Sequence, residues 1–330
     1  MHLLLSNLNP SWGGGEFWFF DAANELAARG HEVRVLVREG SQLQERLRPT
    51  GLELVSEEID PFQGRKTDVM LCNSRKKDVK HLMQFKTRPA HGLLLRKGVP
   101  RPLKDRMWGR KELHALCHVL VNSDATRAVV QESLPWFPPE RITRIYNPVP
   151  FEPAAAEPGM PLRICAVGRL VAVKGFDVLL EAVGKLQRDW TLAIAGEGRA
   201  REELEPLAAP YGDRVRFLGH LEDVRPVYAA ADLMVVSSRY EGFCYSAVEA
   251  TIAALPVIAT EVGSLPEVVP DARFVPSEDP VALAAAIEAT QPGPRPDEAA
   301  RARARFAPDR IFEELERLLE QVASEGPVRG

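Results

Sequence analysis

SSRYEGFCYSAVEATIAALPVIATEVGSLPEVV, from Ser237 to Val269, packs two carboxylates, a glycine turn and a helix start into one short segment. The apolar run DLMVVSS (Asp232 to Ser238) overlaps its start and reads as a buried strand, and SAVEATIAA reads as a helix beginning at Ser246. A short apolar strand running into a helix is the unit of a parallel sheet. In such sheets ligands bind at the carboxyl ends of the strands, where loop and helix amides face the crevice. Glu241 stands in that loop and Glu249 in the first turn of the helix, so one strand-to-helix turn holds two carboxylates.

The same alternation fills the second half of the chain. Strands are expected at LRICAV from Leu162, then TLAIA, RVRFL, DLMVV and PVIAT, with helices starting near Gly175, Arg199, Asp223 and Ser246. The first half repeats it. HLLLS (His2 to Ser6) leads through NLNPSWGGGE into a helix over about 16–29, and then come EVRVLV at Glu32, LELV near Leu52, VMLC at Val69, GLLL at Gly92 and HVLVNS at His118. A basic helix is expected over about 75–86, another through Trp108, and an amphipathic one near the end. Within the proline-rich segment from Leu134 to Pro161 a domain boundary is expected near Pro150 to Pro161. The reading is an α/β chain of two doubly wound domains, 1–155 and 156–308, with a final helix in 309–330.

A chain of 330 residues, 45% hydrophobic and 27% charged, is long enough to bury two cores. MHLLLSNLNP has too short an apolar run for a signal peptide, and no window approaches the roughly 18 apolar residues of a spanning helix. A cytoplasmic protein is expected, with peripheral contact at the inner face of a membrane as a further expectation. The four cysteines are scattered and spell neither a disulfide framework nor a zinc site. The net charge of −4 conceals a basic stretch, Gly64 to Glu112, with 15 Lys and Arg against four acids. Either it meets an anionic partner, a phosphate-bearing acceptor or anionic lipid, or it is a solvated face. No nucleic-acid partner is expected.

Arg169 and Lys174 stand just before the helix expected near Gly175, where the positive end of a helix dipole disfavours cations by a few tenths of a kcal/mol. A diphosphate between them would reverse that. The alternative is that both snorkel into water or pair with Asp177 or Glu181. The chain contains no Asp-x-Asp carboxylate set for holding a metal ion at a diphosphate, so the two cations would replace it. Glu249 has a structural alternative, since Ser246-Ala-Val-Glu249 spells a capping box. Glu241 has none. Gly14 and Gly15, with Gly13, either admit a ligand to a helix N-terminus or form a flexible turn, and His91 and His220 are lone histidines.

Together the motifs resemble the retaining GT-B glycosyltransferases of family 4. GGGE (Gly13 to Glu16) looks like that family's first glycine loop, and GRLVAVKGFDVLLEA like its diphosphate-binding segment. AGEG (Ala195 to Gly198), RVRFLGHLEDV, SSRYEGFCYSAVEA, PVIAT and VGSLPEVV follow in the expected order. The resemblance implies two Rossmann-like domains facing a cleft, the first binding the acceptor, the second the nucleotide, and the last helix crossing back to the first. It implies that Arg169 and Lys174 bind the diphosphate, that Glu241 stands beside the donor sugar and Glu249 at the ribose, and that amides around Gly242, Phe243 and Cys244 contact sugar hydroxyls. Gly196 and Leu218 would lie along the base. LLLRKGVPRPLKDR, which holds Arg96, resembles a basic loop in which a histidine often precedes the basic pair; Leu95 stands at that place here, which leaves His91 as the candidate for a first-domain histidine contact with the donor sugar. Two departures stand out: EGFC for the common EGFG, and Gly263-Ser264 for Gly-Gly, both narrowing the sugar pocket.

The expectation is a retaining hexosyltransferase acting without a metal or other cofactor. Its donor is a UDP-, GDP- or ADP-sugar and its acceptor a glycan or lipid-linked molecule, in bacterial surface-glycan or glycolipid synthesis. Rival readings are a non-catalytic subunit that binds sugar nucleotides, and a GT-B phosphorylase or epimerase.

Overall fold

The computed structural model describes residues 1–73, 76–84, 92–99, 102–103, 115–152 and 159–325. The chain divides into two compact units, Met1–Pro148 with Pro308–Gly330, and Val149–Ala307.

In the first unit the strands β1 (His2–Asn7), β2 (Glu32–Val37), β3 (Glu53–Ser56), β4 (Val69–Asn73), β5 (Leu93–Lys97), β6 (His118–Val121) and β7 (Ile142–Arg144) form one sheet. Its order is β3-β2-β1-β4-β5-β6-β7, with every pairing parallel. The second unit holds β8 (Leu162–Val167), β9 (Trp190–Ala195), β10 (Val215–Gly219), β11 (Leu233–Val236), β12 (Val257–Thr260) and β13 (Arg273–Val275). Its order is β10-β9-β8-β11-β12-β13, again parallel throughout. The order turns back between β1 and β4 and between β8 and β11, and at such points the loops diverge and leave room for a ligand.

Sequence explains why these runs are central strands. Leu3, Leu4 and Leu5 of β1, and Leu162, Ile164, Cys165 and Ala166 of β8, are all buried, so the strands are apolar on both faces as a sheet covered by helices requires. Around β8 the core gathers Leu179, Val183, Trp190, Leu192, Leu233 and Ile258. The final helix, Pro308–Ser324, is part of the first unit, and its buried Ile311, Leu315, Leu318 and Val322 recur at helical spacing. It lies so close to the sheet that a Cβ on Gly92 would fall 2.1 Å from Val322 Cγ1. Glu316 ties it to His31 Nε2 at 2.7 Å and to Arg29 at 3.5 Å.

Several expectations shift. The first helix runs over Gly14–Ala28, so Gly14 and Gly15 sit inside it rather than before it. β7 and β13 are too short for a hydrophobic pattern, and β7 lies within the proline-rich segment. The helix expected through Trp108, and His91, lie outside the described residues. In the basic stretch Arg65 pairs with Glu53 and Glu32, Lys66 with Asp68, and Arg96 and Lys97 are buried. Arg65 and Lys66 are thus exposed but offset by neighbouring acids, and Arg96 and Lys97 are withdrawn from the surface. Among the described residues no helix is long and apolar enough to cross a membrane.

Candidate functional site

The site is built where β8 and β11 end. After β8 the chain makes a short 3-10 turn, Ala172–Lys174, and then turns through Gly175 into the helix Phe176–Val183. Gly175 has φ +63°, and a Cβ there would lie 2.0 Å from Ser237 O, so only glycine lets this loop rest on the exit of β11. Ser237 Oγ donates to Lys174 O at 3.2 Å, and the Arg239 amide donates to Val173 O at 2.8 Å. The Arg239 guanidinium grips the same turn, with a fork onto both Asp177 oxygens at 2.8 and 2.7 Å and a further pairing with Glu278. These hydrogen bonds raise the pKa of Arg239 and hold the Asp177 carboxyl below the usual range. Sequence reading missed Arg239, whose partners lie far away along the chain.

That framework brings Lys174 Nζ to 2.6 Å from Glu241 Oε1. Ser238 Oγ donates to the same oxygen at 2.7 Å, and Glu241 is 6% exposed. Burial works against the Lys174 charge, but the adjoining carboxylate outweighs it and the ammonium pKa stands above its ordinary value. Arg169 bears on Lys174 electrostatically and is exposed, and its side chain makes no ion pair or hydrogen bond among the described residues. The alternative partners are thereby corrected: Asp177 serves Arg239, and Glu181 serves Lys185 at 3.3 Å.

The Glu241 backbone is itself braced. Gly263 has φ +55°, a Cβ there would lie 2.0 Å from Glu241 O, and the Ser264 amide donates to that oxygen at 3.4 Å. Beyond Gly242, Phe243 is buried edge-on against Tyr245 and Phe306 at 5.2 and 5.6 Å. Cys244 takes φ +62° and ψ +74°, a left-handed conformation that favours glycine, and it caps the helix Tyr245–Ile252. The EGFC departure therefore carries a thiol at a strained position. With Lys174, Phe176, Ser238 and Ser246, Cys244 lines a small hollow at the ends of β8 and β11.

The helix begins at Tyr245, not Ser246, so the Ser246-to-Glu249 capping box does not form. The Glu249 carboxylate instead accepts from Tyr228 Oη at 2.9 Å. Burial lifts its pKa and the Tyr228 bond partly opposes that. Gly196, at φ +142°, packs against Gly168 O, where a Cβ would stand 1.9 Å away. Leu218 falls at the irregularity between Phe217 and Gly219 where β10 loses register with β9. His220 is exposed nearby.

In the first unit Gly14 and Gly15 open the first helix at the end of β1, and Glu16 behind them accepts from Asn7 and Asn9 at 3.3 and 2.7 Å. Arg96 is stacked 4.2 Å over Trp18 and bonded to Asn147 at 2.9 Å, which gives it a structural engagement of its own. Among the described residues no group of three or more His, Cys, Asp or Glu side chains is arranged to hold a metal ion.

Residues 161–290, which carry the Lys174 and Glu241 loops, match the family described as glycosyl transferases group 1. The D-inositol 3-phosphate glycosyltransferase of Corynebacterium kroppenstedtii is 36% identical over 157 residues, 42% of this chain and 35% of the corynebacterial one. The chain spans about a third of the length of the curated relatives it matches. A glycosyltransferase from Rickettsia africae ESF-5 has a TM-score of 0.83 at 17% identity, covering 98% of this chain and 99% of that one. HepE from Anabaena, in complex with UDP and glucose, has a TM-score of 0.79 at 18% identity, covering 97% and 100%. At such identities the likeness is one of fold. The chain has the GT-B architecture of two Rossmann-like, doubly wound units, and the matched segment lies within the second unit.

Proposed function

We propose that the protein is a retaining, metal-independent glycosyltransferase that moves a hexose or related sugar from a nucleoside-diphosphate sugar to a glycan or lipid-linked acceptor of a bacterial surface. The observation that carries this reading is the Lys174–Glu241 pair, with Arg169 exposed beside it. A departing diphosphate gathers negative charge; the Lys174 ammonium, held beforehand by Glu241, stabilises it with little reorganisation, and the exposed Arg169 guanidinium adds its charge. They supply the positive charge that a metal ion otherwise brings. Glu241, buried and held by Lys174 and Ser238, presents a carboxylate to the sugar. In this reading it positions and stabilises the donor sugar, while the leaving phosphate takes the acceptor's proton on the same face. The UDP and glucose bound by HepE suit the same donor chemistry.

Incubation with UDP-, GDP- and ADP-sugars in EDTA, with NMR detection of released diphosphate and of product anomer, tests the reading. Turnover of one donor with retained configuration is expected. Inertness towards all donors overturns it, and nucleotide binding by calorimetry without product would instead assign a non-catalytic subunit.

A further inference from the structure

Tyr228 belongs to none of the motifs quoted above. It sits on the helix Arg225–Ala229, is 1% exposed, and stands edge-on to Phe151 with ring centroids 5.6 Å apart. Its hydroxyl has two acceptors in reach, Glu249 Oε2 at 2.9 Å and Ser246 O at 3.2 Å. A hydroxyl has one proton, and a carboxylate is the stronger, shorter acceptor, so the proton goes to Glu249. Glu249 makes no other side-chain hydrogen bond among the described residues, which leaves Oε1 uncommitted.

A glutamate side chain has three rotatable bonds, and its carboxylate recognises a pair of vicinal hydroxyls only when its plane is fixed. We propose that Tyr228 is the positioning residue for Glu249: its phenol, donated to Oε2, fixes the carboxylate so that Oε1 receives the ribose hydroxyls of the bound nucleotide. This rests on the reading of Glu249 as the ribose ligand. Burial and the neighbouring carboxylate keep the phenol protonated and hence a donor across the working pH range. Tyr228 touches neither the sugar nor the diphosphate in this arrangement, so it acts on nucleotide affinity and leaves the transfer step alone.

The test compares wild type, Tyr228→Phe and Glu249→Ala in binding UDP, or whichever of UDP, GDP and ADP binds tightest, and its 2′,3′-dideoxy analogue. Wild type is expected to lose about tenfold in affinity when the ribose hydroxyls are removed, as for hydrogen bonds to a charged group. Tyr228→Phe is expected to bind the ordinary nucleotide about tenfold more weakly, to lose less than about threefold on removal of the hydroxyls, and to raise KM for the donor with kcat within about twofold. An undiminished preference for the ribose hydroxyls in Tyr228→Phe, with the preference abolished in Glu249→Ala, overturns the role of Tyr228. Indifference of wild type itself to the hydroxyls overturns the ribose reading of Glu249 beneath it. Should the phenylalanine variant not fold, Tyr228→His, which restores a ring N–H donor, takes its place and must keep the wild-type preference.

Discussion

Lys174 Nζ lies 2.6 Å from Glu241 Oε1, although 67 residues separate them along the chain. The pair exists because β8 and β11 are neighbours at the point where the strand order reverses, so their exit loops meet. It gives the site a carboxylate and a cation that are each other's partner until a diphosphate enters.

Removing one member leaves the other buried without compensation. Lys174→Ala is expected to cost about 3 kcal/mol of stability, read as a shifted urea midpoint, and to lower transfer at least about 100-fold. Removing both charges together avoids that penalty, so Lys174→Met combined with Glu241→Leu should recover most of the stability and none of the activity. A double variant as unstable as the sum of the two single ones would show that the pair is not coupled.

Gly263 offers a sharper probe of the same loop. Gly263→Ala adds left-handed strain at φ +55° and a contact 2.0 Å from Glu241 O, for an expected loss of about 3 kcal/mol and of activity. Gly51, at φ +77° with open space where its Cβ would lie, is the control, and Gly51→Ala should cost about 1 kcal/mol and leave transfer intact. Equal urea midpoints for the two variants would mean that the Glu241 loop yields to the methyl group.

Two groups in the first unit set opposite pH dependences. Burial pushes the fully buried His118 down to about 4, with Glu325 and Arg141 as its charged neighbours. Between its unfolded value near 6.5 and about 4 only the unfolded chain takes up the proton, so stability is lost as pH falls through that window, by up to about 3 kcal/mol. Asp21 is raised by burial, then by Glu25, to about 7, so its contribution runs the other way and is lost as pH rises from about 4 to 7. Urea midpoints from pH 4.5 to 7 should therefore show a steeper fall with rising pH in His118→Gln than in wild type, and a rise in Asp21→Asn. Parallel profiles in all three would refute both assignments.

Much of the fold was legible because the central strands are buried on both faces. HLLLS, VMLC, GLLL and DLMVV are continuous apolar runs, and a run of that kind between helical stretches has few other uses. The short β7 and β13 were not legible, since three residues carry no period. They form because an edge position beside β6 or β12 is available, which is a property of the finished sheet.

For the site, the order of residues along the chain was enough to say which charges stand at which strand end: Arg169 and Lys174 after β8, Glu241 after β11, Glu249 on the helix that follows. Their partners came from the folded arrangement. It gave Lys174 to Glu241 and Asp177 to Arg239, set Tyr228 rather than a capping box on Glu249, and placed Cys244 in a left-handed turn. The physical reason is range. Whether a run is apolar is a property of a few neighbouring residues, whereas an ion pair or a tight glycine contact depends on which loops the sheet order lays side by side.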